Sequence, residues 1–385
     1  MELVLYNSIS KKKEAFVPLR SGYVSLYVCG VTPYDTTHLG HAFTYVAFDV
    51  LIRYLKSTGL KVDYVQNVTD IDDDILRKAK EQNMGWKELG EFWTKRYLND
   101  MKSINALPPT HYVKATDSIP RIIKIVSKLE KESFAYKSGS NVYFNTKKFP
   151  GYGDLSHFNE AQMLMLLSER GGSINDPKKK NKLDFIVWQG WKEGEPYWDS
   201  PWGKGRPGWH IECSAMINEF LGDQIDLHGG GRDLIFPHHE SEIAQSESFT
   251  GKHPFSRFFL HTAMVMYMGE KMSKSLGNLV LVSQLIKSNS PNAIRWMLLS
   301  NHYRKVWEYE PSDIEKAEEA ITSINSYLAK PGAKSLNKAA LKNFAAAMED
   351  DLDTPAALEI IKKLVESKKD QETARKILDT LGFVL

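Results

Sequence analysis

The clearest hydrophobic pattern in the N-terminal part of the chain is a strand–helix–strand succession. The segment YVSLYVCG (23–30) is short, apolar and rich in β-branched residues, and it ends in glycine, which predicts a buried strand followed by a tight turn. Apolar residues then recur at helical spacing from Gly40 to Gly59, and KVDYVQNVTD (61–70) predicts the next strand. A strand, a helix and a strand at this spacing predict a βαβ unit. We therefore expect a parallel sheet with a site at the carboxyl ends of its strands.

The pattern divides the whole chain into four parts. Residues 1–110 are predicted to form the first half of an α/β, Rossmann-like nucleotide-binding domain. Residues 111–200, which include the polar and lysine-rich loop GGSINDPKKKNK (171–182), are predicted to be a connective insertion. The second half of the domain is predicted over 201–310, and helical periodicity predicts a C-terminal helix bundle over 311–385.

Composition excludes several classes of protein. The 385 residues are 42% hydrophobic and 25% charged, as in ordinary globular proteins, and the net charge of +2 is no basic footprint for nucleic acid, although it does not forbid one. No apolar run approaches the length of a membrane span, and the N-terminus lacks the features of a secretory signal. The chain has only two cysteines, which suits a reducing compartment. We expect a cytoplasmic protein that binds no membrane.

The segment CGVTPYDTTHLGH (29–41) is the first candidate for chemistry, because neither of the common glycine-rich phosphate loops is present. His38, Gly40 and His41 stand where the first helix is predicted to begin. Backbone N–H groups, the helix dipole and two imidazoles at such a position favour an anion such as a phosphate. A purely structural capping role for the histidines is an equal alternative.

A second candidate for phosphate binding is EKMSKSLGN (270–278). Lysines in a loop rich in serine and glycine are usually solvated surface residues. The functional alternative is that Lys271 and Lys274 act as mobile cations, which neutralise the negative charge of pyrophosphate as it departs.

Two cysteines, a histidine and a glutamate form a candidate metal site. His238 and Glu242 are four residues apart and would share one face of a helix. With Cys29 and Cys213 they would supply two sulfur ligands, one nitrogen and one oxygen, which is a plausible tetrahedral zinc set. The alternative is that the cysteines are inert core residues and that His238 only satisfies a hydrogen bond.

The combination of H-L-G-H near the N-terminus with K-M-S-K-S in the second half of an α/β chain resembles the signature pair of the class I aminoacyl-tRNA synthetases. Along nearly its whole length the chain resembles the cysteinyl-tRNA synthetases, and this resemblance implies that the four candidate ligands hold a zinc ion that binds the substrate's sulfur. It also implies that Gly30, Thr32, Thr69 and Trp209 lie beside the bound cysteine. It implies that ATP, which enters with Mg²⁺, binds to Gly40, Gly229, Gly231, Asp233 and Lys274, with its adenosine against Gly229, Gly231 and Asp233. Taken singly, Gly229, Gly231 or Asp233 is better explained by a glycine-rich turn capped by an aspartate.

The resemblance implies a reaction in two steps, in which cysteine and ATP form cysteinyl-AMP and an acceptor then takes the cysteinyl group. Three features favour a small amine as that acceptor. The chain ends at LDTLGFVL directly after the predicted bundle, with no anticodon-binding domain expected, and Thr32-Pro33 stands where the synthetases usually have Pro-Thr-Val or a close variant. Two stretches, LSERGGSINDPKKKNKLDFIVW and GNLVLVSQL, resemble the mycothiol-pathway cysteine ligases, which use an amino sugar. The alternative is a compact cysteinyl-tRNA synthetase that charges tRNA(Cys). A non-catalytic paralogue that binds a ligand or RNA is the third possibility, although it predicts eroded motifs. We expect a monomer.

Overall fold

The structure is a computed structural model that describes residues 2–170, 172–272, 276–330 and 336–384. Its N-terminal part contains β1 (Val4–Asn7), β2 (Lys12–Ala15), β3 (Tyr23–Val31), α1 (Leu39–Ser57), β4 (Lys61–Val68), α2 (Asp73–Glu81), α3 (Trp86–Ser103) and β5 (His111–Lys114). The middle part contains α4 (Ile119–Lys131), β6 (Ala135–Ser138), β7 (Asn141–Phe144), α5 (Glu160–Glu169), β8 (Phe185–Gly190), β9 (Gly205–Pro207), α6 (Trp209–Phe220), β10 (Ile225–Gly231) and α7 (Glu240–Thr250). The last part contains β11 (Ser256–Thr262), β12 (Val265–Tyr267), β13 (Glu270–Lys271), α8 (Val282–Ser288), α9 (Pro291–Leu299), β14 (Trp307–Glu308), α10 (Pro311–Leu328), α11 (Lys338–Glu349), α12 (Thr354–Ser367) and α13 (Gln371–Thr380).

A five-stranded sheet with the strand order β11-β10-β3-β4-β5 forms the centre of the nucleotide-binding domain, and all of its strands are parallel. The predicted α/β class and βαβ unit are confirmed, since α1 connects β3 to its parallel neighbour β4. The strand order brings the carboxyl ends of β3, β4 and β10 together at one edge. That edge is where ligands bind in sheets of this type.

The position of the edge strand β5 differs from the domain boundary predicted at residue 110. It occupies His111–Lys114, within the segment assigned to the insertion, and it pairs with Val65–Val68 of β4. The central sheet therefore continues past residue 110, and the insertion begins after β5. Four residues, of which two are polar, are too few to show a strand periodicity in the sequence.

The insertion and the C-terminal helices form two further layers. Strands β6, β7, β8 and β9 form an antiparallel sheet in that order, and α10 to α13 are the helices expected beyond residue 311. Helix α1 contacts α9 and α13 as well as the central sheet, so it joins the nucleotide-binding domain to the bundle. Within the described residues, no helix has the length and the apolar character that crossing a membrane requires.

Candidate active site and metal centre

A cavity of about 500 Å³ opens at the carboxyl ends of β3, β4 and β10. It brings together most of the residues predicted from the separate motifs. Those that line it are Cys29, Gly30, Thr32, His38, Gly40, His41, Thr69, Trp209, Cys213, Gly231, Asp233, His238 and Lys271. Motifs up to 242 residues apart in sequence therefore meet at one place, as the strand order requires.

Of the predicted site residues that the structure describes, two do not line this cavity. Gly229 faces helix α1, where a β-carbon would lie 2.2 Å from the ring of Phe48, so helix–sheet packing requires glycine at this position. Glu242 lies in the layer beneath the cavity, among the candidate metal ligands. Lys274 lies outside the described residues.

The four candidate metal ligands converge from three regular elements and one turn. Cys29 lies near the end of β3, Cys213 on α6, His238 in the irregular turn before α7, and Glu242 in the first turn of α7. The Sγ of Cys29 is 4.0 Å from the Sγ of Cys213 and 3.6 Å from Oε1 of Glu242. The Nε2 of His238 is 3.0 Å from the same carboxylate oxygen. All four residues are buried, and one ligand atom from each lies within 4.8 Å of all the others.

Electrostatics separates the protonation states of these groups. Burial raises the pKa of the Cys29 thiol well above its usual value, and its contact with Cys213 adds to this. Burial also opposes ionisation of Cys213, but hydrogen bonds with Cys29 and His238 outweigh it and lower the pKa of this thiol to about 6. Burial disfavours the imidazolium of His238, yet Glu242 and Cys213 together raise its pKa to about 10. Burial likewise disfavours the Glu242 carboxylate, whose pKa is nevertheless lowered to about 2 by His228 and His238.

This donor set fits zinc. Two sulfurs, one imidazole nitrogen and one carboxylate oxygen are the ligand types that zinc takes at four-coordinate sites. These pKa shifts favour a thiolate at Cys213, a carboxylate at Glu242 and an imidazolium at His238, so a divalent cation would displace protons and balance the negative charge that remains. The fit rests on the chemistry and proximity of the donors.

Four further histidines, which the sequence motifs did not predict as site residues, surround the cluster. The Nε2 of His239 lies 3.2 Å from the Sγ of Cys29, and the Nε2 of His228 lies 2.9 Å from Oε2 of Glu242. The Nε2 of His261 is hydrogen-bonded to Nδ1 of His239 at 2.8 Å. The Nδ1 of His210 is hydrogen-bonded to Nδ1 of His238 at 2.9 Å. Cys29, His228, His239 and Glu242 make a second group with metal-ligating chemistry. The doubled histidine in FPHHESE was the available sequence signal.

The turn that begins α1 has a structural function as well as a place in the cavity. His38 is the N-cap of α1, and its Nδ1 accepts a hydrogen bond from the N–H of Gly40 at 3.1 Å. The ring of His41 stacks on that of His38 with a centroid distance of 3.8 Å. The capping role that the sequence left open is therefore present, and both imidazoles still line the cavity.

Main-chain hydrogen bonds attach the segment after the K-M-S-K-S motif to this turn. The N–H of Leu39 donates to the carbonyl of Val280 at 2.8 Å, and the N–H of Val282 donates to the carbonyl of Thr37 at 3.2 Å. Across the cavity, Nζ of Lys271 lies 3.7 Å from Oδ2 of Asp233. Main-chain hydrogen bonds therefore hold the H-L-G-H turn against the segment that follows the K-M-S-K-S motif. Lys271 forms an ion pair with Asp233, the residue predicted to face adenosine.

The wall between the turn and the metal cluster is formed by Trp209, Thr69 and Gly30. Trp209 is the first residue of α6, is 39% exposed and stacks on His238 at 4.3 Å between ring centroids. Thr69 is buried and accepts a hydrogen bond from Nδ2 of Asn67 at 3.2 Å. A β-carbon on Gly30 would lie 1.7 Å from the carbonyl oxygen of Asn67, so only glycine fits there.

Comparison with known proteins agrees with this geometry. The sequence model of the family described as "tRNA synthetases class I (C) catalytic domain" matches residues 15–319. The cysteine–tRNA ligase of Geobacter sp. (strain M21) is 44% identical over 376 residues, which cover 93% of this chain and 77% of that protein. The cysteine–tRNA ligase of Legionella pneumophila (strain Corby) is 43% identical over a match that covers 99% of this chain and 85% of that protein.

Solved structures of similar fold are more distant in sequence. Mycobacterium tuberculosis methionyl-tRNA synthetase in complex with methionyl-adenylate has a TM-score of 0.61 at 16% identity, and the match covers 94% of this chain and 82% of that one. The ternary LeuRS–tRNA–LeuAMS complex from Agrobacterium radiobacter K84 has a TM-score of 0.64 at 10% identity, with coverage of 95% and 83%. These structures support the class I fold alone. The family model matches residues 15–319, and relatives that are 43–44% identical match nearly the whole length of the chain. The chain therefore belongs to the class I cysteinyl-tRNA synthetase family.

Proposed function

We propose that the chain is a cysteine–tRNA ligase, which activates L-cysteine with ATP and Mg²⁺ and transfers the cysteinyl group to tRNA(Cys). The observation that carries this proposal is the presence of the cluster of Cys29, Cys213, His238 and Glu242 directly beneath the cavity that contains His38, His41 and Lys271. A sulfur-binding centre and a set of cations for phosphate are what the activation of cysteine requires.

The cluster is proposed to select the substrate. A zinc ion held by Cys29, Cys213, His238 and Glu242 would coordinate the thiolate of cysteine and lower the pKa of that thiol. An apolar pocket alone distinguishes isosteric substrates by only about 10- to 200-fold. Gly30, Thr32, Thr69 and Trp209 line the space above the cluster and are proposed to hold the rest of the amino acid.

The opposite side of the cavity is proposed to hold ATP. A carboxylate oxygen of cysteine attacks the α-phosphorus, and the bond from that phosphorus to the bridging oxygen of pyrophosphate breaks. His38, His41 and Lys271 line the cavity where this negative charge develops, and Lys274 is proposed to join them. Gly40, Gly231 and Asp233 are proposed to bind the nucleotide. Because catalysis here is positioning and charge stabilisation, no covalent enzyme intermediate is needed.

In the second step, a terminal ribose hydroxyl of tRNA attacks the carbonyl carbon of cysteinyl-AMP. The ester bond forms, the carbonyl–oxygen bond to AMP breaks, and AMP takes up the hydroxyl proton. The sequence alone favoured a small amine as acceptor. The relatives support tRNA instead, since the matched proteins are cysteine–tRNA ligases over 77–85% of their own length.

The test is to incubate zinc-loaded protein with ATP, radiolabelled cysteine and either total tRNA or glucosamine. We expect cysteine-dependent exchange between ATP and pyrophosphate, and labelled tRNA but no labelled amino sugar. Labelling of the amine without charging of tRNA would contradict the proposal, and absence of exchange would revive the non-catalytic paralogue. We further propose that the active species is a monomer, which light scattering of the same preparation checks.

A further inference from the structure

The segment that connects β10 to the first turn of α7 carries groups from both sides of the site. Asp233, which pairs with Lys271, and the candidate metal ligand His238 lie in this segment, and Glu242 follows on α7. Its backbone is irregular, since Phe236 has a non-helical φ of −133° and ψ of 136° within it. Regular hydrogen bonding along the segment therefore does not fix its shape, and contacts with other elements must do so.

Arg170, the residue that follows α5 in the insertion, contacts this segment at two points. Its Nη1 donates hydrogen bonds to the main-chain carbonyls of Asp233 and Phe236. One side chain thus connects the carboxylate residue on the nucleotide side with a residue two positions before the metal ligand His238. Hydrogen bonds from a charged donor are stronger than those between neutral groups.

Glu240, the first residue of α7, forms a second contact with the insertion. It is fully buried, and its Oε1 accepts from the N–H of Gly153 at 2.9 Å while its Oε2 accepts from the N–H of Ser156 at 2.9 Å. A third N–H group of the same turn lies 3.4 Å from Oε1. Next to it, the hydroxyl oxygens of Tyr152 and Ser241 are 3.1 Å apart. Main-chain N–H groups that converge in this way form an anion-binding site, which the protein's own carboxylate occupies.

The geometry of α7 transmits this contact to the metal ligands. Successive residues of an α-helix are rotated by about 100° around its axis, so Glu240 and Glu242 point to nearly opposite sides. Glu240 faces the insertion, and Glu242 faces the metal cluster. Fixing Glu240 therefore fixes the rotation of α7 and the direction of Glu242. Because ligand distances at a metal site must be correct to within about 0.2 Å, a small rotation of the helix would weaken metal binding.

We propose that the insertion is a positioning element of the active site, in which Arg170 and Glu240 hold the segment 233–242 in the geometry that metal and nucleotide binding require. Neither residue lines the cavity, so both act through the groups that they hold. Polar partners that orient metal ligands typically contribute about 10- to 100-fold to metal affinity. The inference rests on the proposed function, because it assumes that zinc occupies the cluster and that Asp233 binds the nucleotide.

The first test measures metal affinity in the absence of substrates. Glu240→Gln keeps the shape of the side chain but turns an amide N–H group toward a main-chain N–H donor. We expect its zinc affinity, measured by competition with a chromophoric chelator, to fall about 10- to 100-fold. The absorption spectrum of the Co²⁺-loaded variant should also differ from that of the wild type, since the spectrum depends on ligand geometry.

The matched control for this variant is Glu247→Gln on the same helix. Glu247 is also buried and accepts from a main-chain N–H group, that of Phe255, at 2.8 Å, but it lies near the other end of α7. This change should destabilise the helix and leave zinc affinity unchanged. The comparison therefore separates the orientation of the ligands from the stability of α7.

The second test concerns the nucleotide. Arg170→Ala should raise the KM for ATP in pyrophosphate exchange about 10-fold, as loss of hydrogen bonds from a charged donor predicts, and should raise the KM for cysteine by less. Because Arg170 is exposed, guanidinium ions added at a concentration far below that which unfolds proteins should restore part of the ATP affinity, as should Arg170→Lys. Arg375→Ala is the matched control, since Arg375 on α13 donates to the carbonyl of Leu328 at 2.7 Å, and it should change neither KM.

Three results would overturn the positioning role of the insertion. They are wild-type zinc affinity in Glu240→Gln, an equal loss of zinc affinity in Glu247→Gln, and a KM for ATP in Arg170→Ala that is unchanged or does not respond to guanidinium. A wild-type protein that binds zinc but does not charge tRNA would instead overturn the proposed function. The zinc measurements would still decide the positioning role in that case, because they require no substrate.

Discussion

The buried ion pair between Asp49 and Arg295 gives the sharpest prediction about stability, because it joins α1 to α9. Asp49 is 3% exposed and Arg295 is fully buried. The carboxylate of Asp49 accepts from Nη2 of Arg295, from Nε of Arg53 at 2.9 Å and from the N–H of Leu107 at 2.8 Å. Replacing Asp49 with asparagine keeps the shape but leaves two guanidinium groups facing each other without a counter-charge.

The expected cost follows from that burial. Removing one partner of a buried pair leaves an uncompensated charge and destabilises proteins by about 3–5 kcal/mol. Asp49→Asn should therefore lower the free energy of unfolding by about this amount in urea denaturation followed by circular dichroism. The matched control is Glu359→Gln, which removes the anion from the exposed pair between Glu359 and Lys362 on α12. That change should cost about 0.5 kcal/mol or less.

A second variant tests the physical cause. Arg295→Met in the Asp49→Asn background removes the unpaired buried charge and fills a similar volume, so it should restore part of the lost stability. Arg53 is 16% exposed at its side chain and can turn toward solvent. A loss below about 1 kcal/mol in Asp49→Asn would refute the reasoning, since a fully buried charge cannot lose its partner at so small a cost. A double variant less stable than the single one would show that packing of the arginine stem dominates.

Four further predictions concern the site. Cys29→Ser should lose bound zinc and the preference for cysteine over serine together; retained zinc by atomic absorption, with unchanged cysteine affinity, would refute the ligand set. Zinc binding at pH 7.5 should release about two protons, because the Cys29 thiol and the imidazolium of His238 must both deprotonate to become ligands. Calorimetry in buffers of different ionisation enthalpy measures the number of protons released. Lys271→Ala should slow ATP–pyrophosphate exchange about 10- to 1000-fold with little effect on cysteine affinity, and an unchanged rate would contradict its role. Gly229→Ala should destabilise the protein by about 1–3 kcal/mol, since its β-carbon would meet Phe48, while the KM for ATP of the folded fraction stays unchanged.

Several features of the site could be predicted from the sequence because they depend on neighbours along the chain. The His38–His41 turn follows a strand and opens a helix, and His238 and Glu242 are one helical turn apart, so local geometry alone places each pair. The histidine shell could not be predicted in the same way. The role of His228 or His239 depends on which residues pack against it, and those contacts come from strands and helices distant in sequence.

By itself, the sequence determined the βαβ unit and the C-terminal helices, and it singled out the four residues that folding brings together as candidate metal ligands, because hydrophobic periodicity and short motifs express local physical preferences. Only the tertiary structure decided that the sheet continues through β5, that Gly229 packs against α1, and that four further histidines surround the candidate metal site. Each of these facts depends on the strand order and on packing between distant segments. A histidine joins the surroundings of a metal site only when folding brings it beside a cysteine or a carboxylate from a distant segment, and no local pattern in the sequence reports that contact.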